Sequence, residues 1–187
     1  MLTSARSRWV TCLTPEISGT PAPGLRAAAL IASLKLQPRP EGGWYREVFR
    51  SAQTVLPEGG RPPRAALTTI DFLLQHGQFS AWHRVRGDEV WHLLEGDALS
   101  LWLLPPDPVP GMAAQQVMLS AGSTRQHVVP ADWWQAAEPV GDFAYVGATV
   151  GPGFDFADFS FGRDDAALVA WLATLAALEQ TALKRLL

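Results

Sequence analysis

From about residue 44 to residue 150, short runs of Trp, Phe, Val, Leu and Thr are cut apart by Gly, Pro and Asp. This pattern constrains the fold more than any other feature. Each run is too short for a self-supporting helix, but a pleated strand needs only about four to eight residues between turns. Strands are expected near 44–51, 65–74, 79–85, 89–95, 98–104, 115–119, 126–129, 133–138 and 143–150, with a Pro- and Gly-containing loop from Pro105 to Ala114. Such a series predicts an all-β sandwich or barrel.

The flanks read differently. Leu25, Ala29, Leu30 and Leu34 recur at helical intervals, so a short helix is expected over Leu25–Leu36, ended by Pro38 and Pro40. After Phe161, Leu168, Trp171, Leu172, Leu175, Leu178, Leu183 and Leu186 again follow helical spacing. Asp164 or Asp165 can cap that helix, and Lys184 and Arg185 suit its last turn. Its face is too apolar to be solvated all round, so it should pack on the barrel or on a second subunit. Residues 1–24 lack periodicity and are expected to be a disordered extension, leaving a single domain over 25–162 and a C-terminal helix over 163–187.

Composition narrows the function. With 48% hydrophobic residues the chain is not disordered as a whole. Fifteen Lys and Arg against eighteen Asp and Glu leave no basic stripe for nucleic acid. The one apolar stretch of membrane-spanning length, at the C-terminus, is bracketed or interrupted by Asp164, Asp165, Glu179, Lys184 and Arg185, so no membrane partner is expected. Cys12 is alone, which excludes an intrachain disulfide and suits a reducing, cytoplasmic setting.

Chemistry concentrates in GQFSAWHRVRGDEVWHLLEG, Gly77–Gly96, where Glu89 follows His83 by six positions. Strand alternation from Phe79 points Ala81, His83 and Val85 inward. After the Arg86–Gly87–Asp88 turn, Glu89, Trp91 and Leu93 point inward. An imidazole and a carboxylate on one apolar inner face can hold a divalent metal or act as a base with its partner. Arg84 and Asp88 fall outside or in the turn, where structural pairing is expected. His92 should face the other side of its strand, and His76 and His127 carry no expected role.

The spacing of His83 and Glu89 is that of the first cupin motif. LKLQPRPEGGWYREVFRS (Leu34–Ser51), the block Phe79–Gly96, QHVVPADWWQAAE (Gln126–Glu138) and VGPGFDFADFSF (Val150–Phe161) together resemble the Cupin_5 (DUF985) family. The resemblance implies a small cupin-type β-barrel or jelly roll, a homodimer, and a small-molecule ligand. It also implies similarity to sugar-nucleotide epimerases and isomerases of that superfamily. Three positions depart from the pattern. Val85 stands where a second motif-one His would be, Gln135 where the motif-two His would be, and Arg39 where the family's His precedes Pro40-Glu41-Gly42-Gly43.

His83 and Glu89 are therefore the expected catalytic pair, and also the residues that would hold a divalent metal ion, with an incomplete ligand set. Glu41, Tyr45, Arg46, Trp91, Gln126 and Gln135 are the expected substrate-binding residues. The Phe154–Phe161 segment reads as a hydrophobic strap that closes the barrel end or docks a partner. The leading expectation is a sugar or sugar-nucleotide isomerase or epimerase, in which His83 moves a proton next to a carbonyl while Glu89 sets its tautomer or holds a metal ion. The alternatives are a non-catalytic ligand-binding protein and a metal-dependent oxygenase.

Overall fold

The computed structural model describes residues 24–187, so the expectation for 1–24 falls, except for Gly24, outside the described residues, as does Cys12. In chain order the elements are α1 (Leu25–Leu34), β1 (Gln37–Pro38), β2 (Trp44–Arg50), β3 (Thr54–Val55), β4 (Arg64–Ala65), β5 (Thr68–Gln75) and β6 (Ser80–Val85). There follow β7 (Asp88–Gly96), β8 (Leu99–Leu104), β9 (Gln115–Leu119), β10 (Gln126–Val129), β11 (Trp134–Pro139) and β12 (Phe143–Gly151). The chain ends with β13 (Phe159–Phe161), α2 (Ala166–Leu172) and α3 (Ala177–Lys184).

The strands form a six-stranded sheet in the order β1-β2-β5-β12-β7-β10 and a five-stranded sheet in the order β13-β6-β11-β8-β9, with β3 and β4 as a separate pair. Among the described residues every pairing is antiparallel. Strands that are neighbours in sequence, such as β6 and β7, lie in opposite sheets, so the chain crosses repeatedly between them. This is a jelly-roll sandwich rather than a closed barrel.

Alternation explains three layers of core. Phe72, Leu74, Trp91, Leu93, Leu101, Leu103 and Val146 fill the space between the two sheets. On the outer face of the five-stranded sheet, Trp82, Leu104, Trp134 and Ala136 bury Leu168, Trp171, Leu172, Leu183 and Leu186 from the C-terminal segment. On the outer face of the other sheet, α1 lays Ala27 and Leu30 over Leu73 and Phe143. Most of the apolar face of the C-terminal segment is thus consumed within the chain, while Leu178 stays exposed. The indole Nε1 of Trp82 donates to the Leu183 carbonyl at 3.1 Å, and the Trp82 and Trp171 rings meet edge to face.

Several expectations shift. The C-terminal helix is two helices, with Asp165 capping the first through Leu168 N. The first helix ends at Leu34 because Lys35 turns left-handed, and this frees Gln37 and Pro38 to pair with β2. The strand expected over 65–74 is broken between β4 and β5. The unforeseen β13, three residues long, lies along the edge of β6.

Candidate functional site

A cavity of about 280 Å³ opens between the two sheets near the β6–β7 turn. Its polar lining includes Arg39, Glu41, Tyr45, Ser80, His83 and Glu89. Its apolar lining includes Ile70, Phe72, Val85 and Trp91. Glu47, Arg50, Phe154, Asp155 and Phe156 surround the opening.

How β6 delivers His83 differs from simple alternation. Gln135 pairs with His83, but two residues further along β11 Ala137 pairs with Ser80, which is three residues back along β6. The extra residue on β6 is a bulge, and it resets the alternation. Ser80 and His83 therefore both line the cavity, while Phe79 packs with the Trp82 cluster on the outer side. The expectation that Phe79 and Ala81 point inward with His83 is corrected on this ground. On β7 the alternation is regular: Glu89 and Trp91 line the cavity and Leu93 continues into the core.

The His83 ring is held on two sides. Its Nδ1 lies 2.7 Å from the Ala81 carbonyl oxygen, which can only accept, so Nδ1 carries the proton. The lone pair of the neutral ring is then on Nε2, which has no hydrogen-bond partner among the described residues. Phe159 stacks on the ring at 5.4 Å with an interplanar angle of 19°. Ala81, and not Glu89, therefore sets the tautomer. Burial drives the imidazole down to about 4; the Arg39 charge adds to this, and the Ala81 bond opposes it. At neutral pH the ring is uncharged.

Glu89 is likewise buried and fixed. Gln135 Nε2 donates to Glu89 Oε2 at 2.6 Å, while Gln135 Oε1 accepts from Trp91 Nε1 at 2.8 Å. The indole N–H can only donate, so it settles the amide orientation and aims the NH₂ at the carboxyl. Burial pushes Glu89 above the ordinary carboxyl range, against the Gln135 bond and Arg39. Glu41 is also pushed up by burial, with Arg39 opposing. Arg39 pairs with Glu41, and its guanidinium lies 5.1 Å from the Tyr45 ring centre and 5.2 Å from that of Phe154.

The Glu41-Gly42-Gly43 corner depends on its glycines. Gly42 has φ of 109°, and a Cβ there would stand 2.1 Å from the Phe79 carbonyl oxygen. This close approach also places the Glu41 carbonyl to accept from Ala81 N at 2.9 Å, tying the corner to the strand that carries His83.

Of the residues expected from sequence, His83, Glu89, Glu41, Tyr45 and Trp91 line the cavity. Gln135, fully buried, stands behind Glu89 and Trp91. Arg46 and Gln126 are not brought to the cavity. Tyr45 and Glu47 face inward on β2, so Arg46 faces out, where it pairs with Asp71 at 2.6 Å. Gln126 lies opposite His92 on the outer side of β7. Arg84 pairs with Asp165 and lies over Trp134, and Asp88 accepts from Ala131 N. Sequence reasoning passed over Arg39, Glu47, Arg50 and Ser80 as lining residues. Alternation from Tyr45 would have yielded Glu47, but the bulge that presents Ser80 leaves no sequence signal.

A divalent metal does not fit these side chains. Val85 offers no donor atom, the Gln135 amide is spent on Glu89 and Trp91, and the Arg39 guanidinium stands within electrostatic reach of both His83 and Glu89. Among the described residues no group of three or more His, Cys, Asp or Glu side chains converges to hold an ion. The expected metal role of His83 and Glu89 therefore has no supporting ligand set.

The sequence matches a family model, Cupin_5, described as "Cupin superfamily (DUF985)", over residues 28–162. A hypothetical protein from Leishmania major shares 31% identity over 86% of this chain and 97% of its own, with a TM-score of 0.71. A protein of known structure from Shewanella oneidensis shares 29% identity over 86% and 96% of the two chains, with a TM-score of 0.69. Oxalate decarboxylase from Bacillus subtilis shares the fold alone, at 14% identity and a TM-score of 0.50, over 78% of this chain and 36% of its own. No curated protein matches the sequence. Among the described residues no helix is long and apolar enough to cross a membrane.

Proposed function

The chain belongs to the Cupin_5 (DUF985) family of the cupin superfamily, and from that premise we propose that its cavity is the active site of a sugar isomerase or epimerase. The observation that carries this reading is a neutral imidazole whose Nε2 lone pair lies free in an aromatic-lined cavity beside a carboxyl that burial keeps toward its acid form. In an aldose–ketose interconversion, Nε2 of His83 takes the proton from the carbon beside the carbonyl, and the C–H electron pair forms the enediol double bond. The Glu89 acid gives its proton to the carbonyl oxygen. The imidazolium then gives its proton to the former carbonyl carbon, while the Glu89 carboxylate takes the proton of the hydroxyl on the adjacent carbon, whose C=O bond forms as the double bond shifts, so acid and base are restored and no charge or redox equivalent is left over. Trp91 and Phe72, both buried, form the apolar wall beside the pair. No metal takes part in these steps.

A second reading, a ligand-binding protein without turnover, draws support from the low basicity of His83, which lies well below the value that best serves a base at neutral pH. A panel of aldoses, ketoses and their phosphate and nucleotide derivatives, followed by NMR for interconversion, separates the two. Turnover that is lost in His83→Gln while binding persists supports the enzyme. Binding without interconversion by the native protein supports the second reading, and unchanged turnover in His83→Gln removes His83 from the mechanism.

Homodimer formation and a cytoplasmic setting belong to the same proposal. The first draws on family membership and on Leu94 and Val128, exposed strand residues of the six-stranded sheet. Light scattering that gives a monomer at micromolar concentration would remove it. The second rests on the lone Cys12.

A further inference from the structure

We infer that Arg39 anchors a carboxylate of the ligand, so that the cavity takes a sugar acid in preference to a neutral sugar. The inference rests on the carbohydrate reading above and names its substrate class.

Two guanidinium groups line the cavity, and they differ in what they hold. Arg50 is spent: its Nε and Nη2 donate to the Glu47 carboxylate at 3.1 and 2.7 Å, and its Nη1 donates to the Phe154 carbonyl at 3.1 Å. Arg39 is not. It faces Glu41 through Nε, and among the described residues neither terminal nitrogen has an acceptor. The rings of Tyr45 and Phe154, 5.1 and 5.2 Å from the guanidinium carbon, meet it with their faces and offer no acceptor there. The side chain is only 11% exposed, so its free N–H groups cannot rely on bulk water. Buried donors without partners are costly, and the cavity that Arg39 lines is where an acceptor can reach them.

Charge points the same way. Arginine cannot shed its proton, whereas burial pushes Glu41 and Glu89 toward their acid forms and holds His83 neutral. The guanidinium is therefore the charge deep in the cavity that the fold cannot remove. The carboxylates at the opening are occupied elsewhere, Glu47 on Arg50 and Asp155 on Ala157 N at 2.9 Å.

A carboxylate suits this arrangement. Its two oxygens match the parallel N–H groups of Nη1 and Nη2 in one plane, and its single charge matches a single guanidinium. A phosphate dianion would bring a second charge with Arg50 already taken. Arg39 shares a cavity of about 280 Å³ with His83 and Glu89, so one sugar unit can rest its carboxylate on Arg39 and its carbonyl at the pair. Ser80 is left for the hydroxyl groups, and Phe72 and Trp91 for the C–H side of the ring.

Calorimetric titration of the full chain with aldohexuronates and ketohexuronates, their uncharged primary amides, and the parent hexoses and hexose 6-phosphates tests this. A hexuronate should bind at least about tenfold tighter than its own amide, equivalent to about 1.4 kcal/mol. Arg39→Gln should reduce that advantage to below about threefold. Arg39→Lys, which keeps the charge and loses the fork, should retain more of it than Arg39→Gln does. An amide or parent hexose that binds the native protein as tightly as the hexuronate overturns the inference, and this comparison holds even if Arg39→Gln does not fold. A 6-phosphate that binds tighter than every hexuronate overturns it, as does an advantage that survives whole in Arg39→Gln. A hexuronate bound selectively but never converted leaves the inference standing and defeats the enzyme reading. A neutral sugar that is both preferred and converted does the reverse. Failure to bind any sugar form overturns both.

Discussion

Replacing His83 with Gln removes a side chain whose charging the fold opposes, and the consequence can be read as a change in how stability depends on pH. In the folded protein the imidazole titrates at about 4, against 6.5 for an unburied group. Between those values the unfolded chain holds a proton that the native state does not. Stability from this source is therefore complete above pH 6.5 and is lost as pH falls toward 4. A gap of this size corresponds to about 3 kcal/mol over the whole range and about 2 kcal/mol between pH 7 and pH 5. His83 is only 5% exposed, so solvent screening takes little from that figure. Glu41 and Glu89, whose values are raised, have the opposite sign and favour the fold on acidification, but both proteins contain them and they cancel in the difference. The assay is urea unfolding of native protein and His83→Gln at pH 7 and pH 5. The variant loses the Ala81 bond and the Phe159 stacking at both values, which lowers both of its curves alike. The native protein should lose about 2 kcal/mol more than the variant on going from pH 7 to pH 5. An equal loss in the two proteins, within about 0.5 kcal/mol, would refute the claim that burial holds His83 neutral.

Gln135→Leu should cost about 2–5 kcal/mol in urea unfolding, because it strands the buried Trp91 N–H and Glu89 carboxyl together; a cost under about 1 kcal/mol would show that water replaces the amide. Gly42→Ala should destabilise by about 2–4 kcal/mol, since both the positive φ and the Phe79 carbonyl reject a Cβ; a melting temperature equal to that of the native protein would contradict the tightness of that corner. Zinc, manganese, nickel or iron(II) at millimolar concentration should leave the melting temperature within about 1 °C. A rise of several degrees that vanishes in His83→Gln would restore the metal reading.

Much of this architecture was legible in the residues, and the failures share a cause. Hydrophobic alternation locates β7 and β12 to within a residue or so at their ends, because every second residue of each is buried, while β8 and β11, buried on both faces, are bounded as closely by the Gly, Pro and Asp residues that flank them. Alternation breaks down on β6, where the bulge turns Ser80 inward and Phe79 outward; no composition signal marks an extra residue on one strand. It also places Arg46 outside once Tyr45 is taken as inward, so proximity to Tyr45 in sequence misled where period two would not. Gln135 illustrates a different limit. Its position identified it as a pocket residue, but its partners, Trp91 and Glu89, come from another strand 44 and 46 residues away, and only the folded chain shows it holding Glu89 rather than facing the cavity. The Phe154–Phe161 strap was readable as a cover. Its stacking on His83 was not.

The account turns on a proton moved by Nε2 of His83. The most direct measurement is deuterium incorporation: the sugar that binds is incubated with the protein in deuterium oxide at neutral pH, and the hydrogen on the carbon beside the carbonyl is followed by NMR. The account predicts that native protein replaces that hydrogen with deuterium and that His83→Gln, still binding the sugar, does not. Binding without exchange by the native protein, or exchange that survives in His83→Gln, would contradict it.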